Sequence, residues 1–568
     1  MQNKLAQFIL ISSVFLFTFV ALFLLRGVDD NSLFRWSWVF AQVDASRIYL
    51  YILIGLIISF FLSRTAVPDY YQIPFLAVLS FAVSALFWKE PEIIVDASRY
   101  FSQAKHLEVY GIGYFLKEWG GMIPAWTDMP LIPVLFGLLF KLFGESRTVI
   151  QIFTSTLFAL TTVLTYLIGK KLWNRETGFA GGLLLLGIPY LLTQVPLMLV
   201  DVPTMFFLAL SVFTFLDALA QDGVARIICS VAAIICTVVS KYSAWFMLSV
   251  LGVVLLVYTK HSVESKGHRP LERGLLILLI AAAVSGAALL FKLDVVSEQI
   301  AFLLEYQKPG LSRWGESFQS TFLFQMHPFI TVSAMVSVVV AWRKRDMRYA
   351  IISWLILLVV VFTIRRIRYL VPVFPLFTLM AGYGLQIMRR EDITRFIVYG
   401  VVTTSLVIAV FAYLPLAENM SAGNLQHAGA YLNTLDGGEI EVITLPPEVP
   451  VVNHAVDVPL LDLFTNKRIQ YFYRQEAFPP HEGIESSPLR FTWEYRNPAY
   501  YSAPVARAGD APIVILSDAS NSPLTDPVSR RLEGYRLSKS FNVNEGIFRY
   551  TVGVRVYQSI LSAAKPPE

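Results

Sequence analysis

Apolar residues in this chain come in blocks long enough to cross a bilayer, and the blocks recur from residue 8 to residue 414. A spanning helix needs about 20 mainly apolar residues, and lipid admits only elements whose backbone groups are hydrogen-bonded internally. The expected fold is therefore a polytopic α-helical membrane protein. Composition agrees, with 55% hydrophobic and 15% charged residues, where a soluble domain carries about a quarter charged. Spans are expected at 8–25, 48–63, 73–88, 148–169, 177–194, 203–220, 224–240, 242–259, 273–291, 328–342, 349–364, 369–387 and 395–414, about thirteen in all. The stretch 131–143 is apolar but short, and is expected to lie at the interface. The first run, after Lys4, is longer than a signal core and has no small-residue cleavage site, so it reads as a retained span.

The net charge of +5 is spent in short loops. Lys170, Lys171 and Arg175 fall in one, and Lys260, Lys266 and Arg269 in another. Arg343, Lys344, Arg345 and Arg348 form a third, and Arg389, Arg390 and Arg395 a fourth. With the spans above, all lie on one side, which the positive-inside rule makes the cytoplasm. The expected protein is multi-pass in the plasma membrane, with a cytoplasmic N-terminus and an extracytoplasmic C-terminal domain. Basic residues so placed are a topology signal, and no nucleic-acid partner is implied. Cys229 and Cys236 share one expected helix but lie about 10 Å apart along its axis, too far for a disulfide.

After Leu416 no span appears and polar residues become common. A helix over 422–435, strands over 439–445 and 512–516, and a hairpin over 535–557 turning near Asn544-Glu545-Gly546 predict a small α/β domain. The expected division is a membrane domain, 1–415, with an outer loop at 89–147, and a soluble domain, 416–568.

Polar residues on the outer side are the candidates for chemistry. A polar loop from Ile94 to Pro130 opens with Asp96-Ala97-Ser98-Arg99-Tyr100 and closes on Thr127-Asp128-Met129-Pro130. Asp201 sits alone in a tight outer turn, Ser240-Lys241-Tyr242 at another boundary, and Arg365, Arg366, Arg368 and Tyr369 at a third. Ionisable groups near a membrane are costly and tend to mark function. Blander readings exist for each: Asp201 as a helix cap, Lys241 and the arginines as snorkelling side chains. Glu118, Trp119 and Trp126 read as groove formers or interfacial aromatics, and His327 as an interfacial histidine or a metal ligand.

The order of these outer features resembles the C-type glycosyltransferase superfamily, in particular the protein O-mannosyltransferases and the lipid A aminoarabinose transferases, over roughly residues 73–415. The resemblance implies a polyprenyl-phosphate-linked sugar as donor, a glycan, lipid or protein acceptor, membrane lipids around it, and inverting transfer on the outer face. Asp96 and Tyr100 match the family's Asp-Glu-x-x-Tyr, but Ala97 stands in place of the Glu, and Asp128 is the obvious substitute. Asp96 is then the expected base, with Asp128 and Asp201 beside it. Arg99, Tyr100, Lys241, Tyr242, Arg365, Arg366, Arg368 and Tyr369 are the expected substrate contacts. Asp96 and Asp201 are also the candidate ligands of a divalent cation, Mg or Mn, since carboxylate oxygens suit such ions. No nucleotide cofactor is expected, because the chain has neither a Walker loop nor a dinucleotide fingerprint. Rival readings are a flippase for lipid-linked glycans and a non-catalytic partner of similar fold.

Overall fold

The computed structural model describes the 568-residue chain except residues 1, 127, 266–269, 308–314, 389, 448–451, 474–488, 503–510, 520, 545–549 and 561–568. Thr127, Lys266, Arg269, Arg389, Glu545 and Gly546 therefore lie outside the described residues.

Every expected span falls on helix. Eight of the described helical segments are long and apolar enough to cross a membrane: Leu5–Leu24, Ala45–Leu62, Arg147–Leu172, Asp201–Ala220, Tyr242–Lys260, Pro270–Leu290, Ile367–Leu385 and Glu391–Glu418. The other expected spans are shorter helices, among them Gln72–Ala85, Val224–Val238, Pro328–Lys344 and Tyr349–Val361. The expected span 177–194 is broken into Arg175–Leu185 and Pro189–Gln194, because proline interrupts the i to i−4 ladder. The chain is a multi-pass membrane protein. Small residues let its helices meet closely: a Cβ on Gly178 would lie 2.3 Å from the Tyr166 carbonyl oxygen.

One expectation is corrected. The stretch read as a polar loop is mostly a helix, Ile94–Glu118, bent at Gly111. Its buried positions Ile94, Ala97, Tyr100, Phe101, Ala104 and Leu107 recur at three- and four-residue steps. That is the spacing of one helix face. Leu131–Phe143, the expected interfacial helix, packs against it.

The C-terminal residues form a five-stranded sheet of β1 (Glu439–Thr444), β2 (Arg468–Tyr471), β3 (Ile513–Ser517), β4 (Tyr535–Phe541) and β5 (Gly553–Ser559). The order is β2-β1-β3-β5-β4. β2, β1 and β3 are parallel, while β5 runs antiparallel to both β3 and β4. β3 is buried along its whole length, as the central strand of a sheet covered on both faces should be. The sheet does not stand apart. Ile440, Val442 and Val514 share one apolar core with Ile94, Ala97, Tyr100 and Phe101 of the 94–118 helix. Lys105 adds ion pairs to Asp462 at 2.7 Å and to Glu145 at 2.8 Å.

Candidate active site

Four segments bring their ends to one place. Asp96 lies in the first turn of Ile94–Glu118, and Asp201 in the first turn of Asp201–Ala220. Acids in a first turn are favoured by the helix dipole. Lys241 immediately precedes helix Tyr242–Met247. Arg368 lies in the short helix Ile367–Leu370, which Pro372 and Pro375 keep from running smoothly into Phe374–Leu385.

At this junction acids and bases alternate. Asp128 accepts from Arg99 and, at 3.1 Å, from the Tyr100 hydroxyl. Arg99 Nη1 also lies 3.5 Å from Asp96 Oδ1. Arg368 donates through Nη1 to Asp96 and through Nε to Asp201, the latter at 3.0 Å. Lys241 Nζ closes the series on Asp201 Oδ1 at 2.5 Å. The run reads Asp128–Arg99–Asp96–Arg368–Asp201–Lys241. Asp201 is fully buried, whereas the Asp96 side chain keeps 23% of its surface. Asp201 is not a cap: the capping position is Val200, with no side-chain cap hydrogen bond, and both Asp201 oxygens are taken by cations. Burial would raise the Asp96 carboxyl, but Arg368 and then Arg99 outweigh it and bring its pKa down to about 2.

Around this run the remaining expected residues divide. Tyr369 joins it, lying 5.9 Å under the Lys241 ammonium and 5.4 Å under the Arg366 guanidinium. Tyr242 donates to Gln299, whose amide nitrogen reaches the Asp128 carbonyl at 3.4 Å. Arg365 stands apart, exposed, its guanidinium 5.8 Å from the Phe318 ring. Arg365, Arg366 and Arg368 are therefore not one cluster; the backbone turns at Thr363, with φ 54°, and again into the 367–370 helix. His327 is in the core, its Nε2 3.0 Å from Thr404 Oγ1 and its Nδ1 accepting from Phe329 N–H.

Sequence reasoning missed two contributors, Phe491 and Glu316. Phe491, from the sheet-bearing part of the chain, packs 5.0 Å from the Arg99 guanidinium, which also lies 4.8 Å from the Trp126 ring. Trp126 itself is held at φ 45°, a backbone region that bulky residues rarely occupy. Glu316 accepts from Ile367 N–H at 3.3 Å, beside Arg368, and from Ser32 in the segment after the first span. Nothing in the spacing of Phe491 or Glu316 announces them. Arg99 Nε is buried and has no hydrogen-bond partner among the described residues.

A divalent cation does not fit Asp96 and Asp201 as they are arranged. Each of their four oxygens faces a guanidinium or ammonium nitrogen. Among the described residues no three Asp, Glu, His or Cys side chains converge on one point.

Residues 127–287 match the family described as dolichyl-phosphate-mannose-protein mannosyltransferase. No curated protein matches by sequence. Among solved structures, ArnT from Cupriavidus metallidurans bound to undecaprenyl phosphate is similar over 88% of this chain and 100% of its own, with 12% identity and a TM-score of 0.53. Its apo form covers 86% and 99%, with 13% identity and a TM-score of 0.51. The chain thus has the fold of the C-type glycosyltransferase superfamily, the superfamily its outer motifs resemble.

Proposed function

We propose that the protein transfers a sugar from a polyprenyl-phosphate donor to an acceptor hydroxyl on the outer face of the membrane. Undecaprenyl phosphate in the ArnT structure supports a lipid of this kind. The observation that carries the reading is the alternating series Asp128–Arg99–Asp96–Arg368–Asp201–Lys241. In it the most accessible acid lies between two guanidiniums.

Asp96 is the base. The acceptor O–H gives its proton to the Asp96 carboxylate as the oxygen bonds to the anomeric carbon. The bond from that carbon to the phosphate oxygen breaks, and its electron pair leaves on the polyprenyl phosphate, with inversion. Arg368, Lys241 and Arg99, with its unfilled Nε, stabilise the charge that grows on the phosphate. Asp201 and Asp128 hold those cations in place; Tyr100, Tyr242, Arg366 and Tyr369 line the donor's approach, with Arg365 at its edge. The division into a membrane domain, 1–415, and an outer domain, 416–568, belongs to this proposal. So do the cytoplasmic N-terminus and the plasma membrane location.

The test is purified protein with polyprenyl-phosphate sugar and a crude envelope acceptor fraction. Release of polyprenyl phosphate with an inverted glycosidic linkage supports the reading. Translocation of intact donor without cleavage overturns it in favour of a flippase, and binding without turnover in favour of a non-catalytic partner.

A further inference from the structure

The sheet-bearing part of the chain has a cavity of about 570 Å³ at the carboxyl ends of β1 and β2. Thr444 ends β1, and Phe472 and Tyr473 directly follow β2. Asn453, Trp493 and Ser502 complete its polar and aromatic lining. The volume is within the range of small-molecule pockets, and strand carboxyl ends in sheets with parallel strands are where such pockets form.

Its chemistry is selective. No Asp, Glu, Lys, Arg or His is among the described lining residues, so the described lining offers no charged side chain to a phosphate or a carboxylate. Hydroxyl and amide groups stand beside aromatic rings, and several are already fixed. Asn453 Nδ2 donates to the Tyr473 hydroxyl at 2.8 Å, and Thr444 Oγ1 lies 2.9 Å from the Tyr471 hydroxyl. Tyr471 and Tyr473 stack at 6.0 Å. Phe472 leaves 65% of its surface exposed, an apolar face with no ring partner among the described residues. An apolar ring face beside neutral hydrogen-bonding groups matches a pyranose, whose C–H face is apolar and whose rim carries hydroxyls.

One short helix links the cavity to the candidate active site. Trp493 ends the short helix Arg490–Trp493, and Phe491 of that helix packs on Arg99. Trp493 of the cavity lining and Phe491 against Arg99 are thus two residues apart on one short helix.

We propose that this cavity binds a neutral sugar unit of the acceptor, making the acceptor a glycan chain; this rests on the transferase reading above. The full-length protein in lipid nanodiscs, without sugar-headed detergent, is titrated with mannotriose and maltotriose, followed by saturation-transfer NMR. Saturation of the trisaccharide ring protons is expected. Phe472→Ala should weaken it at least about tenfold, and Tyr473→Phe less. Arg368→Ala should raise the donor KM at least about tenfold yet leave this binding unchanged, which separates the cavity from the reaction. Absence of neutral-sugar binding in the wild type, equal affinity in Phe472→Ala, or preference for a glucuronate-bearing trisaccharide would each overturn the proposal. Loss of transfer in the wild type with retained sugar binding would overturn only the transferase reading.

Discussion

The guanidinium of Arg368 holds the carboxylate of Asp96 from 272 residues further along the chain. This contact joins the proposed base to the proposed phosphate clamp.

Replacing that base is the first test. Asp96→Asn keeps the size of the side chain and removes its ability to accept a proton. Transfer should fall by about 10²-fold or more, while donor still binds to Arg368 and Lys241. Near-normal turnover of the Asn variant would rule Asp96 out as base.

Arginine placement gives a graded prediction. Arg368→Ala leaves Asp201 paired only with Lys241, and losing one partner of a buried, bonded charge pair costs about 2–5 kcal/mol. The KM for polyprenyl-phosphate sugar should rise at least tenfold by that measure. Arg365→Ala, at an exposed side chain outside the series, should raise it far less, and Arg343→Ala hardly at all. Equal effects at all three positions would show that the phosphate binds elsewhere.

Asp128 is expected to act through Arg99. With Asp128→Asn the guanidinium loses its buried counter-charge and swings toward Asp96, so kcat should drop more than KM changes. A variant that raises KM alone would instead make Asp128 a donor contact.

Glu316 links the segment after the first span to the Arg368 segment, through Ser32 and Ile367. Glu316→Ala should raise the donor KM several-fold without altering the acid limb of the pH–rate profile. Glu316→Gln, which keeps an accepting oxygen, should recover most of the loss. Failure of Gln to rescue would point to the charge rather than to the backbone hydrogen bond.

Much of this was legible in the sequence, for identifiable reasons. Apolar block length placed the spans because lipid leaves the backbone no alternative to helix. Asp96, Asp201, Lys241 and Arg368 stood out because each is an ionisable residue at a span end, and the structure brings all four together. The 94–118 helix was read as a loop because Asp96, Arg99, Lys105 and Glu108 hid a regular apolar spacing. Phe491 and Glu316 were invisible, since contacts across hundreds of residues carry no periodicity. The three arginines could not be told apart, because only the turn at Thr363 and the helix after it send Arg365 one way and Arg368 another.

The sheet-bearing part makes an independent pH prediction. His454 is buried between Asp457, at 2.8 Å, and Asp518, at 2.7 Å, with the Tyr550 hydroxyl on the far oxygen of Asp457. Burial pushes the imidazole down, but hydrogen bonds to Asp457 and Asp518 outweigh it and raise its pKa to about 9. Its stabilising contribution is then complete below the unfolded value of about 6.5 and lost as pH rises through about 9. The thermal midpoint of the purified protein, followed from pH 6 to 10, should decline across that window. In Asp518→Asn the decline should be smaller; an unchanged slope would mean that His454 does not carry it.

The alternating series has one further consequence. Asp128, Asp96 and Asp201 carry three negative charges, and Arg99, Arg368 and Lys241 three positive ones, so these six side chains sum to zero. A phosphodiester donor brings one negative charge, and the phosphomonoester left after transfer brings two. In the proposed transfer the proton taken up by Asp96 cancels the difference, so charge within the site stays constant through that reaction. The next turnover cannot begin until that proton and the spent lipid have both departed, and Asp96, the least buried of the three acids, is placed to release its proton to water.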